Sequence, residues 1–158
     1  MIIPKKSLGQ NFLIDKNIIQ KIVALTNIEN ENIIEIGPGL GNLTDFIIRK
    51  KPNNLILIEK DLTLFNHLVN KYKNKKNIQI INTDVLKYNF SKLNNVKIIS
   101  NLPYNLSTKI IIKLIFYNQN ITNIICMIQK ELAEKFDYNK CKMNKYKFII
   151  QLCTNYKM

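Results

Sequence analysis

Asn101-Leu102-Pro103-Tyr104 is the stretch whose residue types and order can do the most specific chemistry. An exocyclic amine on a nucleobase is a poor nucleophile, because its lone pair is delocalised into the ring. A transferase acting there must localise that pair and aim it, and two acceptors beside the amine would do so. Asn101 offers a side-chain carbonyl oxygen and Leu102 a backbone carbonyl. Pro103 lacks an N–H and fixes φ near about −65°, which stiffens the turn presenting both acceptors. Tyr104 adds an aromatic face on which an unstacked base can lie, a contact worth roughly 1–3 kcal/mol. Taken alone, the four residues also fit a plain strand-to-helix loop with a buried tyrosine.

A second concentration of chemistry is Glu35-Ile36-Gly37-Pro38-Gly39-Leu40-Gly41, which holds three of the chain's 4 glycines. A glycine turn between strand and helix lets a ligand approach the backbone closely. A dinucleotide site calls for G-x-G-x-x-G with free N–H groups for the pyrophosphate. Here Asn42 fills the sixth position and Pro38 removes a donor. Glu35, just before the glycines, suits a cation better than a diphosphate, and S-adenosylmethionine carries sulfonium and ammonium groups. A purely structural turn is the alternative.

Two further acids fall at the ends of apolar runs. Glu59 lies about 20 residues past Gly37, where such folds hold a ribose diol; it also reads as the acidic start of a helix capped by Asp61. Asp84 follows the run Ile78 to Asn82 and offers an acceptor for an adenine amino group, or else a helix N-cap. His67 lies opposite Phe65 on its helix and reads as solvated. Cys126, Cys141 and Cys153 are odd in number and widely spaced, so they read as free thiols of a reducing compartment, the cytoplasm. No metal is expected.

The elements that must position these residues alternate. Strands are expected over 32–36, 55–58, 78–82, 96–100 and 121–128, with a short helical or turn segment over 85–90. A first helix over 16–27 has Asp15 as N-cap, an Ile14/Ile19 staple and an apolar face of Ile14, Ile18, Ile22 and Leu25. Phe65, Leu68, Val69 and Tyr72 mark the face of another helix. A third begins near Ser107 and is apolar over most of its circumference; further helices start at Gln129 and Tyr146. This alternation predicts an α/β fold with a mostly parallel open sheet, which binds ligands at the carboxyl ends of its strands. An N-terminal arm over 1–14 precedes one domain over 15–158.

With 158 residues, 46% of them hydrophobic, the chain can bury a core for one domain, or it is a piece of one. Its net charge of +13 favours an acidic partner, nucleic acid before membrane, although only Arg49 among the 24 basic residues is an arginine. No apolar run approaches the roughly 18 residues of a membrane span, and the N-terminus lacks a signal peptide's apolar core.

In order along the chain, K-S-L-G-Q-N-F-L from Lys6, E-I-G-P-G-L-G from Glu35, I-E-K-D from Ile58, N-T-D from Asn82 and N-L-P-Y-N-L-S-T from Asn101 resemble the rRNA adenine dimethyltransferase family. The resemblance implies a Rossmann-like S-adenosylmethionine-dependent methyltransferase fold and N6-dimethylation of two adjacent adenosines near the 3′ end of small-subunit rRNA. The branch that methylates large-subunit rRNA usually has serine where Pro38 stands and isoleucine where Leu102 stands, so the housekeeping branch is implied. Asn11, Leu13, Gly37, Gly39, Glu59, Asp84 and Asn101 would contact the methyl donor. Asn101, Leu102, Pro103 and Tyr104 would form the target-adenine site, and Lys5 and Lys6, beside the arm, would meet rRNA. Small-subunit rRNA or a pre-ribosomal 30S-type particle is the implied partner of a monomer. Family members continue beyond the point where this chain stops, so it resembles a C-terminally truncated member, without the closing β-hairpin and helical domain and with its fifth strand as an exposed edge. Two other readings are a catalytically idle rRNA-binding assembly factor and an adenine-specific DNA methyltransferase. Lysine clusters at 71–76, at 109 and 113, and at 140–147 read as solvated surface or as phosphate contacts.

Overall fold

Parallel strands buried on both faces read as nearly continuous apolar runs. Five such runs build the sheet in the computed structural model, which describes residues 12–117, 119–137, 144, 149, 150 and 153. The elements in chain order are α1 (Lys16–Ala24), β1 (Asn32–Ile36), α2 (Asn42–Arg49), β2 (Asn54–Glu59), α3 (Leu62–Tyr72), β3 (Ile78–Asn82), β4 (Val96–Asn101), α4 (Ser107–Ile115), β5 (Ile121–Met127) and α5 (Lys130–Phe136). The sheet order is β3-β2-β1-β4-β5 and every pairing is parallel. The chain therefore winds outward from β1 to β3, then crosses back to β4 on the other side of β1. A crevice opens where the winding reverses, above the carboxyl ends of β1 and β4.

Strand periodicity decides which face each side chain serves. Ile33, Leu55, Leu57 and Ile99 pack with α1, α2 and α3 on one face. Ile34, Ile36, Ile58, Val96 and Ile98 pack with α4 and the chain before β4 on the other. Glu35, Glu59 and Asn101 share the odd parity of the first set, so three polar residues at strand ends are directed toward the same side. The buried isoleucines and leucines each contribute about 1.5–3 kcal/mol.

Asp15 caps α1 and Asp61 caps α3, each carboxylate accepting from two backbone N–H groups. The buried face of α1 differs from the sequence expectation. Ile19, Ile22 and Val23 are buried, whereas Ile14 and Leu25 are 76% and 71% exposed, so no staple forms at Ile14. Two overlapping isoleucine series run along this helix, and the packing of α1 against α2 and β5 selects the second. The helix also ends at Ala24, three residues short of the expected boundary. On α3 the buried face is Leu64, Leu68 and Tyr72, with Val69 exposed. Residues 85–87 form a turn.

Among the described residues, three other than glycine have left-handed backbone: Asn30 (φ 59°), Lys51 (φ 54°) and Asn95 (φ 50°). Lys51 follows the cap of α2, where its N–H donates to the Ile48 carbonyl at 3.0 Å. Among the described residues β5 pairs on one side only, with β4, so it forms an edge. Lys5, Lys6, Asn11 and Cys141 lie outside the described residues, as does most of the helix expected from Tyr146, of which Ile149, Ile150 and Cys153 are helical. Among the described residues Cys126 and Cys153 are free, no helix is long and apolar enough to cross a membrane, and no group of metal-ligating side chains converges.

Candidate functional site

The glycine turn carries β1 into α2 with all three glycines left-handed, at φ 64°, 60° and 79° for Gly37, Gly39 and Gly41. Its N–H groups are used within the protein. Gly37 donates to the Ile58 carbonyl at 2.9 Å, Gly39 to Glu59 Oε2 at 3.2 Å and Gly41 to the Pro38 carbonyl at 2.9 Å. A pyrophosphate would need those donors, so the turn is not built for a dinucleotide. A Cβ at Gly39 would press on the Phe12 ring at 3.0 Å and one at Gly41 would strike the Tyr72 hydroxyl, whereas at Gly37 it would enter open space. The open side of the turn thus faces the crevice.

Glu35 is buried at the floor, where Thr44 Oγ1 donates to its Oε2 at 2.6 Å. Burial pushes its carboxyl up to about 8; Asp45 and Glu59 add to the rise, while the Thr44 hydroxyl and Lys71 oppose it. Glu59, the last residue of β2, accepts from the Asp61 N–H on Oε1 at 2.8 Å and from Gly39 on Oε2. Burial also raises its pKa, and those backbone donors hold it back. Each Glu59 oxygen keeps further acceptor capacity, which suits a diol. Asp84 accepts from Lys60 Nζ at 2.9 Å and from the Leu86 N–H at 2.9 Å. The Lys60 hydrogen bond leads in lowering its pKa. Asp84 thus closes the turn over 85–87, which is not a helix, and lines the crevice.

At the end of β4, Ser100 is fully buried and its hydroxyl donates to the Ile36 carbonyl at 2.6 Å, fastening β4 to β1 where the crevice opens. Asn101 follows, with its Oδ1 screened from solvent. The Leu102 N–H donates to the Met127 carbonyl at 3.1 Å, so the β4–β5 ladder runs into the turn. The Pro103 carbonyl accepts from the Leu106 N–H at 3.1 Å and from the Ser107 hydroxyl at 2.9 Å. Tyr104 is 37% exposed, which rules out a buried loop tyrosine and leaves part of its ring open.

One cleft of about 230 Å³ brings together Leu13, Gly37, Gly39, Glu59, Asp84, Asn101, Leu102 and Pro103. Tyr104 stands outside its lining. Glu35, which the sequence offered as suited to a cation, also lines the cleft, as do Phe12, Lys60, Val85, Asn105 and Leu106, which were not singled out as site residues. Phe12, Lys60, Asn105 and Leu106 stand inside the recognised motifs, and that membership was the available signal; nothing in the spacing marks Val85. The end of the arm is seated by Asn42 Nδ2, which donates to the Leu13 carbonyl at 2.9 Å. The acceptor oxygens of Glu59 and Asp84 and the open methylene edge at Gly37 fit a nucleoside such as that of S-adenosylmethionine. Lys113, which with Lys109 read as solvated surface or a phosphate contact, instead donates to the Leu86 and Tyr88 carbonyls at 2.7 and 2.6 Å.

The chain matches the family model described as ribosomal RNA adenine dimethylase over residues 3–158. It is 46% identical over 136 residues to a ribosomal RNA small subunit methyltransferase A of Pelagibacter ubique, covering 83% of this chain and 51% of the relative. It thus spans about half the length of the curated relatives it matches. Among solved structures, the 23S rRNA methyltransferase ErmE is similar with a TM-score of 0.70 and 25% identity, over 79% of this chain and 50% of that one. A dimethyladenosine transferase from Plasmodium falciparum is similar with a TM-score of 0.68 and 29% identity, over 80% of this chain and 46% of that one.

Proposed function

Because this chain belongs to the ribosomal RNA adenine dimethylase family, whose model matches residues 3–158, we propose that it transfers methyl groups from S-adenosylmethionine to N6 of two adjacent adenosines near the 3′ end of small-subunit rRNA. One observation carries the reading: Glu59, Asp84 and Asn101, reaching in from the ends of three different strands, line a single cleft with the glycine turn. S-adenosylmethionine, when bound, supplies an electrophilic methyl group. Glu59 would accept from its ribose diol and Asp84 from its adenine amino group, with Asn11, Leu13, Gly37 and Gly39 completing its surroundings. The Asn101 side-chain oxygen and the Leu102 carbonyl would accept the two hydrogens of the target amine and turn its lone pair outward. Pro103 keeps that turn stiff, and the exposed part of Tyr104 offers a face to the extruded base. The residues contribute alignment and charge placement; no general base is required. A second cycle on the same nitrogen gives the dimethyl product. Lys5 and Lys6 would neutralise phosphates of rRNA presented in a 30S-type particle, and the enzyme would act as a monomer.

Transfer of labelled methyl groups from S-adenosylmethionine to 30S-type particles tests the reading. Incorporation is expected for the native chain. Asn101→Ala should lower transfer by about a hundredfold or more, the scale on which aligned polar groups act, while donor binding weakens only about three- to tenfold. Full activity in that variant removes the mechanism. A second reading, an rRNA-binding assembly factor without transfer, draws on the net charge of +13. Salt-sensitive particle binding with no label incorporated would favour it. Substituting DNA as methyl acceptor separates off an adenine-specific DNA methyltransferase.

A further inference from the structure

The glycine turn has a back as well as a front. Gly41 opens α2 with φ 79° and no side-chain cap, and its carbonyl accepts the Asp45 N–H of the helix at 3.0 Å. The carbonyl side of the turn is further held from α3. Lys71 Nζ donates to the Leu40 carbonyl at 3.0 Å and to Asp45 Oδ2 at 2.8 Å, with the Gly41 carbonyl at 3.4 Å. The Tyr72 hydroxyl lies 3.0 Å from the Gly41 carbonyl and 2.8 Å from Asp45 Oδ1, and donates its one proton within that pair. Tyr72 is only 6% exposed, so water cannot replace the bond without local opening. Burial and Asp45 both raise its pKa, which keeps the hydroxyl a neutral donor.

The same helix reaches the cleft at its other end. Asp61, the cap of α3, donates its N–H to Glu59, whose second oxygen receives the Gly39 N–H. Thr44, next to Asp45 on α2, donates to Glu35 in the floor. So α3, about 16 Å long, spans from the acid beneath the turn to the carbonyls behind it. We propose that Tyr72 and Lys71 are positioning residues for the methyl-donor site, holding the glycine turn from behind so that its open edge at Gly37 faces the cleft. The proposal rests on the donor-site reading above.

Tyr72→Phe keeps the ring and deletes only the hydroxyl; Lys71→Met keeps the stem and deletes the ammonium. Each should weaken S-adenosylmethionine binding, measured by calorimetry, about three- to tenfold, the worth of one hydrogen bond. At saturating donor, kcat should stay at the native value, so the effect appears in KM for the donor. In the donor-free protein, amide exchange at Gly39 and Gly41 should accelerate in Tyr72→Phe, while the amides of β1 and β2 keep their native rates. Native donor affinity in both variants, or uniform acceleration across the sheet, overturns the proposal and assigns the pair to general stability. Failure of the native chain to bind donor overturns the donor-site reading itself, and this inference with it.

Discussion

Replacing Glu35 by glutamine tests the electrostatics of the cleft most directly. The carboxyl is fully buried, and burial carries its pKa from the ordinary 4.5 to about 8. The fold therefore holds the neutral acid, and an unfolded chain gives up the same proton near pH 4.5. Stability from this residue is complete below about 4.5 and is lost progressively up to about 8. In that window the unfolding free energy falls by about 1.4 kcal/mol per pH unit. A rise from 4.5 to about 8 corresponds to a ceiling of roughly 5 kcal/mol. Glutamine keeps the shape and can still accept from Thr44, but it does not titrate. Urea unfolding at pH 5, 6, 7 and 8 should show the variant gaining on the native protein at each step and exceeding it by several kcal/mol at pH 8. Asp84 has the opposite sign: its lowered pKa gives stability that is present throughout this window and is lost only as pH falls below the ordinary carboxylate range. Glu59 shifts in the same direction as Glu35 and is present in both proteins, so only its coupling to Glu35 enters the difference. Donor binding adds a second signature. A cation entering the cleft should drive the proton off Glu35, so calorimetry at pH 7 in buffers of different ionisation enthalpy should report release of close to one proton by the native chain and none by Glu35→Gln. A difference in stability that does not change with pH would refute the reasoning.

Other expectations follow from single contacts. Gly41→Ala brings a methyl group against the Tyr72 hydroxyl at a left-handed position; it should cost about 1–3 kcal/mol or more, read from the urea midpoint. Asp84→Ala should lower donor affinity about tenfold or more, as expected for a lost hydrogen bond to a charged acceptor. Lys60→Met should change it far less, because the Lys60 side chain is half exposed and such ion pairs are worth at most about 1 kcal/mol; calorimetric titration of the two variants side by side compares them. Ser100→Ala leaves the Ile36 carbonyl without its buried donor and should cost roughly 1–3 kcal/mol, again by urea unfolding.

The strands were legible because a parallel sheet demands apolar runs on both faces, and polar asparagines and lysines interrupt the chain elsewhere. β1 and β3 match the expected bounds residue for residue, and the caps at Asp15 and Asp61 follow from local chemistry. The strand-end acids were legible for a related reason. A charged residue closing an apolar run must leave the core, and in this topology it leaves toward the crevice. The orientation of α1 was not legible, since Ile14, Ile18, Ile19 and Ile22 allow two helical stripes and tertiary packing alone chooses between them. Nor were the contacts of Lys71 and Tyr72 with the glycine turn. They join residues about 30 positions apart through a helix whose apolar face gives no hint that its last turn carries hydrogen bonds. Tyr104 shows the converse. Its place in the tetrad was plain, but its exposure depends on how the turn meets α4.

Every glycine codon begins with two guanines, whereas asparagine, lysine and isoleucine, so abundant here, are written almost wholly in adenine and thymine. A chain with only 4 glycines has most use for them where the backbone will bear no other residue. At 30, 51 and 95 it bears one, and Asn30, Lys51 and Asn95 occupy left-handed positions. At 39 and 41 a replacement would collide with Phe12 or Tyr72, and at 37 it would intrude into the cleft. Asparagine and lysine thus serve at three left-handed positions, while the three glycines of this turn mark where left-handed backbone has no substitute.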